Sequence, residues 1–121
     1  MNIWVMRKSE GSDGRGDRRV RRVLVRVDAI TYMSADDHQV RASELGSDEI
    51  VVLVDEKDGG HGGPLLPEGF NVDLLDMVSE LRRKLAADGD TEDHIVTAQV
   101  VDGTWIWRSF AASESEPKPT P

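Results

Sequence analysis

The chain contains no cysteine. Disulfide staples, zinc–thiolate centres and thiol catalysis are therefore excluded, and an apolar core must hold the fold unless a second subunit helps. No apolar run approaches the length of a membrane span, and Met1–Met6 is too short for a signal peptide. A cytoplasmic protein with no membrane association is expected. No internal repeat suggests a solenoid. Catalytic signatures are missing as well. No serine sits in a nucleophile-elbow context, and no helix carries the zinc-protease motif. The glycine-rich stretch lacks the Lys-Ser/Thr that ends a phosphate-binding loop and does not follow the dinucleotide pattern. These absences lead to the expectation of a protein that is not an enzyme and uses no cofactor.

What remains is a chain of 121 residues, 38% hydrophobic and 31% charged, with a net charge of −8. That length suits one domain. The charge is unevenly placed. Residues 1–27 carry eight Lys/Arg and three Asp/Glu, a balance of +5, whereas residues 28–121 carry a balance of −13. Arg15, Arg18, Arg19, Arg21 and Arg22 form the basic cluster. Arginines of this kind either lie across the protein's own acidic surface or meet an acidic partner. The acidic remainder repels phosphates, which places nucleic acid second to protein as a partner for segment 15–22.

Hydrophobic patterning predicts an α+β fold: a mostly antiparallel sheet of five to six strands with one amphipathic helix on one face. Ile3–Met6 reads as a short edge strand. Val23, Val25 and Val27 alternate with Arg22, Leu24 and Arg26, and the parity changes at Asp28 before resuming at Ile30 and Tyr32, which implies a bulge or tight bend. His38–Glu44 is a weaker, polar strand. Ile50–Val54 is a continuous apolar run, as expected of a central strand buried on both faces. Leu74, Val78, Leu81 and Leu85 predict a helix over 72–87, capped by Asn71, stapled by Phe70 on Leu75 and ended by Gly89. Asp102-Gly103 between two alternating runs predicts a type I′ hairpin pairing Val101 with Thr104, Val100 with Trp105 and Ala98 with Trp107. The domain is expected to span 1–110, with flexible loops at 9–19 and 58–69 and a disordered acidic, proline-rich tail from 111 to 121. The core should include Val23, Val25, Val27, Ile30, Val52, Val54, Leu74, Val78, Leu81, Val100 and Trp105.

Candidate sites follow from residue type. Asp36-Asp37-His38 and Glu92-Asp93-His94 each precede a strand. Were the strand starts adjacent, two imidazoles and several carboxylates would converge into a metal or proton-transfer site. Read separately, each acidic pair is a turn. His61 sits among glycines, either as a presented imidazole or in a connector. Trp105 and Trp107 fit the core better than an exposed platform. The opposite hairpin face carries Ile95, Ile106 and Phe110, which need cover that a second subunit of a homodimer would supply. The expected function is thus a non-catalytic protein-interaction module, regulatory or accessory, for example of inhibitor or immunity type. Arg18, Arg19, Arg21, Arg22, Ile95, Ile106 and Phe110 are its candidate contacts. A nucleic-acid-binding regulator using 15–22 and a small metal-dependent enzyme using His38, His61 or His94 are the alternatives.

Overall fold

The computed structural model describes residues 1–12, 18–60 and 62–118, with backbone alone at 9–12 and 18–20. Its elements run β1 (Ile3–Ser12), β2 (Arg18–Arg26), β3 (Ile30–Ala35), β4 (Gln39–Glu44), β5 (Ile50–Asp55), α1 (Phe70–Asp88), β6 (His94–Val101) and β7 (Thr104–Ala111). The α+β class and the single helix are as expected, but the sheet is divided. Four strands lie in the order β2-β1-β6-β7 and three in the order β3-β4-β5. The division falls at the parity break. A 3₁₀ turn over Val27–Ala29 takes the chain out of the first sheet and into the second.

The first strand is longer and more central than its apolar run suggests. β1 pairs antiparallel with β2 from Trp4↔Arg26 to Ser12↔Arg18, and parallel with β6 from Ile3↔His94 to Met6↔Thr97. Ser9–Ser12, expected in a loop, are held as strand by the ladder to β2, a tertiary partner that local propensity does not register. Arg15 and His61 lie outside the described residues.

β5 corrects a second expectation, since it is an edge strand and Ile50 is exposed. The pairs Val40↔Val54 and Arg41↔Val52 leave Leu53 unpaired. Such a bulge lets two adjacent residues turn inward, so Leu53 and Val54 are buried while Val52 is only half-buried.

The helix buries Leu74, Val78, Leu81 and Leu85, as their spacing requires. Its start differs from the prediction. Gly69, at φ 72°, occupies the cap with no side-chain bond, in place of Asn71. Phe70 does not staple to Leu75. It stacks on Trp107 with ring centroids 4.7 Å apart and planes 18° apart, and its carbonyl accepts the Trp107 Nε1 proton at 2.9 Å. Gly89 ends the helix at φ 67°, and the Asp90 amide returns to the Leu85 carbonyl at 3.0 Å.

The last hairpin has the expected register, with Asp102 at φ 52° and Gly103 at φ 76°. β7 runs on to Ala111, which pairs with His94. One core joins all three layers: Val5, Val25, Val96, Trp105 and Trp107 from the first sheet, Val40, Ala42, Leu53 and Val54 from the second, and the helix stripe. Among the described residues no helix is long and apolar enough to cross a membrane.

Trp105 sets a tight constraint. Its Nε1 donates to the Pro64 carbonyl at 2.9 Å, and a Cβ on Gly59 would come within 2.7 Å of its Cζ2. Gly59→Ala should therefore cost about 1–3 kcal/mol through overpacking. Trp107→Ala, which removes both the stack and the indole bond, should cost about 3–5 kcal/mol. Val72→Ala on the exposed helix face should change stability by less than about 0.5 kcal/mol. Urea unfolding of the three variants measures the order.

Candidate functional site

The two acidic-acidic-histidine triplets do not converge. His38 precedes β4 in the three-stranded sheet, and His94 opens β6 in the other. Each set has its own, separate partners. Asp36 Oδ1 accepts from the amides of His38 and Gln39 at 2.8 and 2.9 Å, and its Oδ2 meets Arg41 at 2.7 Å. Asp93 accepts from the Asn2 amide at 2.8 Å and from Trp4 Nε1 at 3.3 Å, which ties the chain's beginning to β6. His94 is buried with Asp90 Oδ2 3.3 Å from its Nε2, and exposed His38 meets Glu56 Oε1 at 2.8 Å through Nδ1. Among the described residues no three His, Asp or Glu side chains are grouped as a metal ion requires.

The arginine cluster lies on a ribbon. β1 pairs with β6 only as far as Met6, so beyond that point β1 and β2 leave the sheet as two strands alone. Arg21 and Arg22 are exposed there, opposite Ser9 and Lys8, while the backbones of Arg18 and Arg19 stand opposite Ser12 and Gly11. Arg7 behaves differently. It turns back to Asp58 at 2.9 Å and Asp55 at 3.9 Å, so part of the basic segment does rest on the protein's own acids. The fork between ribbon and hairpin is a cleft of about 950 Å³ lined by charges of both signs, including Arg7, Lys8, Asp55, Lys57 and Asp58.

The second hairpin face is largely covered within the chain. Directly paired residues share a face, so Trp4, Met6, Ile95, Thr97, Gln99, Arg108 and Phe110 lie together on the outer side of the first sheet. Phe110 is 8% exposed and Met6 5%, whereas Ile106 is 37% exposed and Ile95 half-buried. Residues after β7 return to this side. Glu116 reaches Lys8 at 3.0 Å and Gln99 at 3.1 Å. Phe110 is thus buried within the chain, and a segment beginning within the expected tail bonds to the same side of the sheet.

A further apolar surface had no counterpart in the sequence reading. β3 is an edge of the three-stranded sheet, and α1 lies beside it. Between them runs a groove of about 290 Å³, lined mainly by Val27, Ile30, Tyr32, Met33, Leu74, Leu75 and Val78, with Asn71 and Thr31 as its polar members. Tyr32 is 64% exposed and Leu75 53%. The Arg82–Asp28 ion pair joins α1 to the turn before β3. The available signal was Val72 and Leu75, two apolar residues off the Leu74–Val78–Leu81–Leu85 stripe. Assigning Leu75 to a staple concealed it.

Electrostatics of the turns carry a pH signature. The hydrogen bond to the Glu56 carboxylate raises the His38 imidazole above its ordinary value against the opposing effect of desolvation, and the charges of Glu56, Asp36 and Asp37 add to the rise. Asp36 is held below the usual carboxylate range by the amides of His38 and Gln39, and Asp93 by the Asn2 amide and Trp4. A raised imidazole stabilises the fold fully below its unfolded value near pH 6.5, and that contribution disappears as pH rises through the folded value. Thermal unfolding should therefore lose a small increment of Tm above about pH 6.5 that His38→Gln lacks. The lowered carboxylates act oppositely, with stability lost as pH falls below about 4 in both proteins.

No family model, curated protein or solved structure matches the chain.

Proposed function

We propose that the chain is a non-catalytic protein-interaction module, regulatory or accessory in role, which takes an extended segment of a partner protein along the β3 edge. The observation that carries this reading is a strand edge, unpaired among the described residues, beside an apolar groove. An edge strand presents a row of main-chain donors and acceptors, and an extended peptide satisfies them by adding a strand. The neighbouring groove then selects side chains. In an added strand, alternate residues point the same way, so every second residue of the ligand meets Leu75, Val78 and Met33. The preferred ligand is an extended segment with aliphatic or aromatic residues at alternate positions. The acidic body beyond Asp28 favours basic residues between them and beyond the groove. Inhibitor and immunity-type proteins are one form of such a module.

Selection of randomised peptides displayed against the immobilised full-length chain tests the reading. Enriched peptides should show the alternating apolar pattern. Leu75→Glu, at an exposed position that leaves the core intact, should weaken them by about tenfold or more, the loss expected from putting an unpaired charge against an apolar side chain. No enrichment, or equal enrichment on the variant, rejects the proposal.

A second reading, nucleic-acid binding, is favoured by the ribbon that leaves the sheet with Arg21 and Arg22 exposed, since a two-stranded ribbon fits the major groove. Duplex binding at low salt that falls steeply with added salt, and that Arg21→Glu with Arg22→Glu abolishes, is its expected outcome. Undetectable binding at low salt rejects it.

A further inference from the structure

We propose that the outer face of the β2-β1-β6-β7 sheet is a separate binding surface for acidic extended peptides, and that residues 113–118 are its occupant in the isolated chain. This does not rest on the β3 groove, which lies on the other sheet.

The path of the segment defines the surface. After β7, the Ala112 amide bonds to the Asp93 carbonyl at 2.8 Å and the Ser113 amide to Glu92 Oε1 at 2.8 Å. The Glu114 amide returns to the Ala111 carbonyl at 2.9 Å, a turn that reverses the chain. The segment then reaches the far end of the face. Glu116 bonds to Lys8 and Gln99, the Pro117 carbonyl accepts from Gln99 Nε2 at 2.6 Å, and the Lys118 carbonyl lies 3.5 Å from Arg108 Nη1. Its two anchor points lie beside Asp93 and beside Gln99, so it crosses the rows holding Phe110, Thr97 and Met6. Among the described residues no second layer of secondary structure packs there, yet all three are buried.

The contacts have the character of peptide recognition. Gln99 is a buried amide with both ends engaged. Its Oε1 accepts from Arg108 Nη1 at 3.3 Å, and its Nε2 serves the carboxylate and the carbonyl of the segment. Lys8 adds a charge to the same carboxylate. Removal of the segment would leave the Gln99 Nε2 group and the Lys8 ammonium without these acceptors beside an apolar strip, a state that costs desolvation energy until another acceptor arrives. The occupant brings one carboxylate and two carbonyls. It brings no large apolar side chain, since Ser113–Lys118 reads Ser-Glu-Ser-Glu-Pro-Lys. Its hold depends on exposed ion pairing and on tethering, and each is weak or exchangeable. A partner segment with a carboxylate for Lys8 and Gln99, and an apolar residue for Phe110 and Met6, buries more area and displaces it.

Full-length chains and a labelled synthetic peptide of residues 111–121 decide the matter by fluorescence anisotropy. Glu116→Lys places like charges at Lys8 and releases the tethered segment, so this variant should bind the peptide about tenfold or more tightly than the unaltered chain. Glu116→Gln, which keeps the side chain's shape, should shift binding the same way by less. Adding Lys8→Glu to Glu116→Lys reverses the pair. The tethered segment then returns to its place, the peptide's own glutamate is repelled, and binding should be lost again. Leu75→Glu should leave every value unchanged, which separates this surface from the groove. Equal binding to the unaltered chain and to Glu116→Lys, or binding to neither, overturns the proposal. Displacement of the peptide by a single-stranded oligonucleotide at equal charge concentration overturns the assignment of an acidic peptide.

Discussion

The contact between Phe70 and Trp107 is the constraint on which the rest of the structure depends. It joins the first turn of α1 to the middle of β7 by ring stacking and by an indole-to-carbonyl hydrogen bond within the same pair. A buried indole N–H needs an acceptor, and the Phe70 carbonyl provides one. Trp105, two residues earlier on the same face, repeats the device on the Pro64 carbonyl and packs against Gly59. The long connection from β5 to α1 is thus pinned to the last hairpin. The two sheets, which share no ladder, close on one interior with the helix.

The surfaces left over follow from that closure. Once α1 is fixed by Phe70 and its Leu74–Leu85 stripe, Leu75 has no core to enter and faces the β3 edge across a groove. Once β1 is drawn into the sheet by β6 at Ile3–Met6, the remainder of the β1–β2 hairpin projects as a ribbon. Thr97 Oγ1 donates to the Met6 carbonyl at 3.0 Å where β1 and β6 begin to part. The sheet therefore ends in a fork, and the Lys8–Glu116–Gln99 contact lies at its mouth.

Elements governed by local chemistry were legible from residue order. The helix stripe, the Gly89 terminus and the register around Asp102-Gly103 each depend on residues within a turn or two of one another, and each is found as read. The misassigned elements depend on partners distant in sequence. Ser9–Ser12 look like loop because nothing nearby holds them, yet β2 does. Ile50–Val54 look central because apolar runs usually are, yet β5 stands at an edge with a bulge at Leu53. Helix-start patterning pairs Phe70 with Leu75 in the next turn, but its partner is 37 positions away. Among the sites, the separateness of His38 and His94 could not be read, because spacing along the chain says nothing about which sheet a strand joins.

Residue order by itself determined the α+β class, the amphipathic face of the one helix, the hairpin turn and the contrast between a basic beginning and an acidic remainder. These are set by side-chain periodicity, by glycine's access to positive φ and by formal charge, none of which needs a long-range partner. Tertiary structure alone decided that the strands form two sheets, that a polar segment after β7 bonds back to the outer side of the sheet that holds Phe110, and that Tyr32 and Leu75 face one groove. Those outcomes depend on which strands meet and which apolar side chains the core has room to enclose, and both are settled only when the whole chain packs.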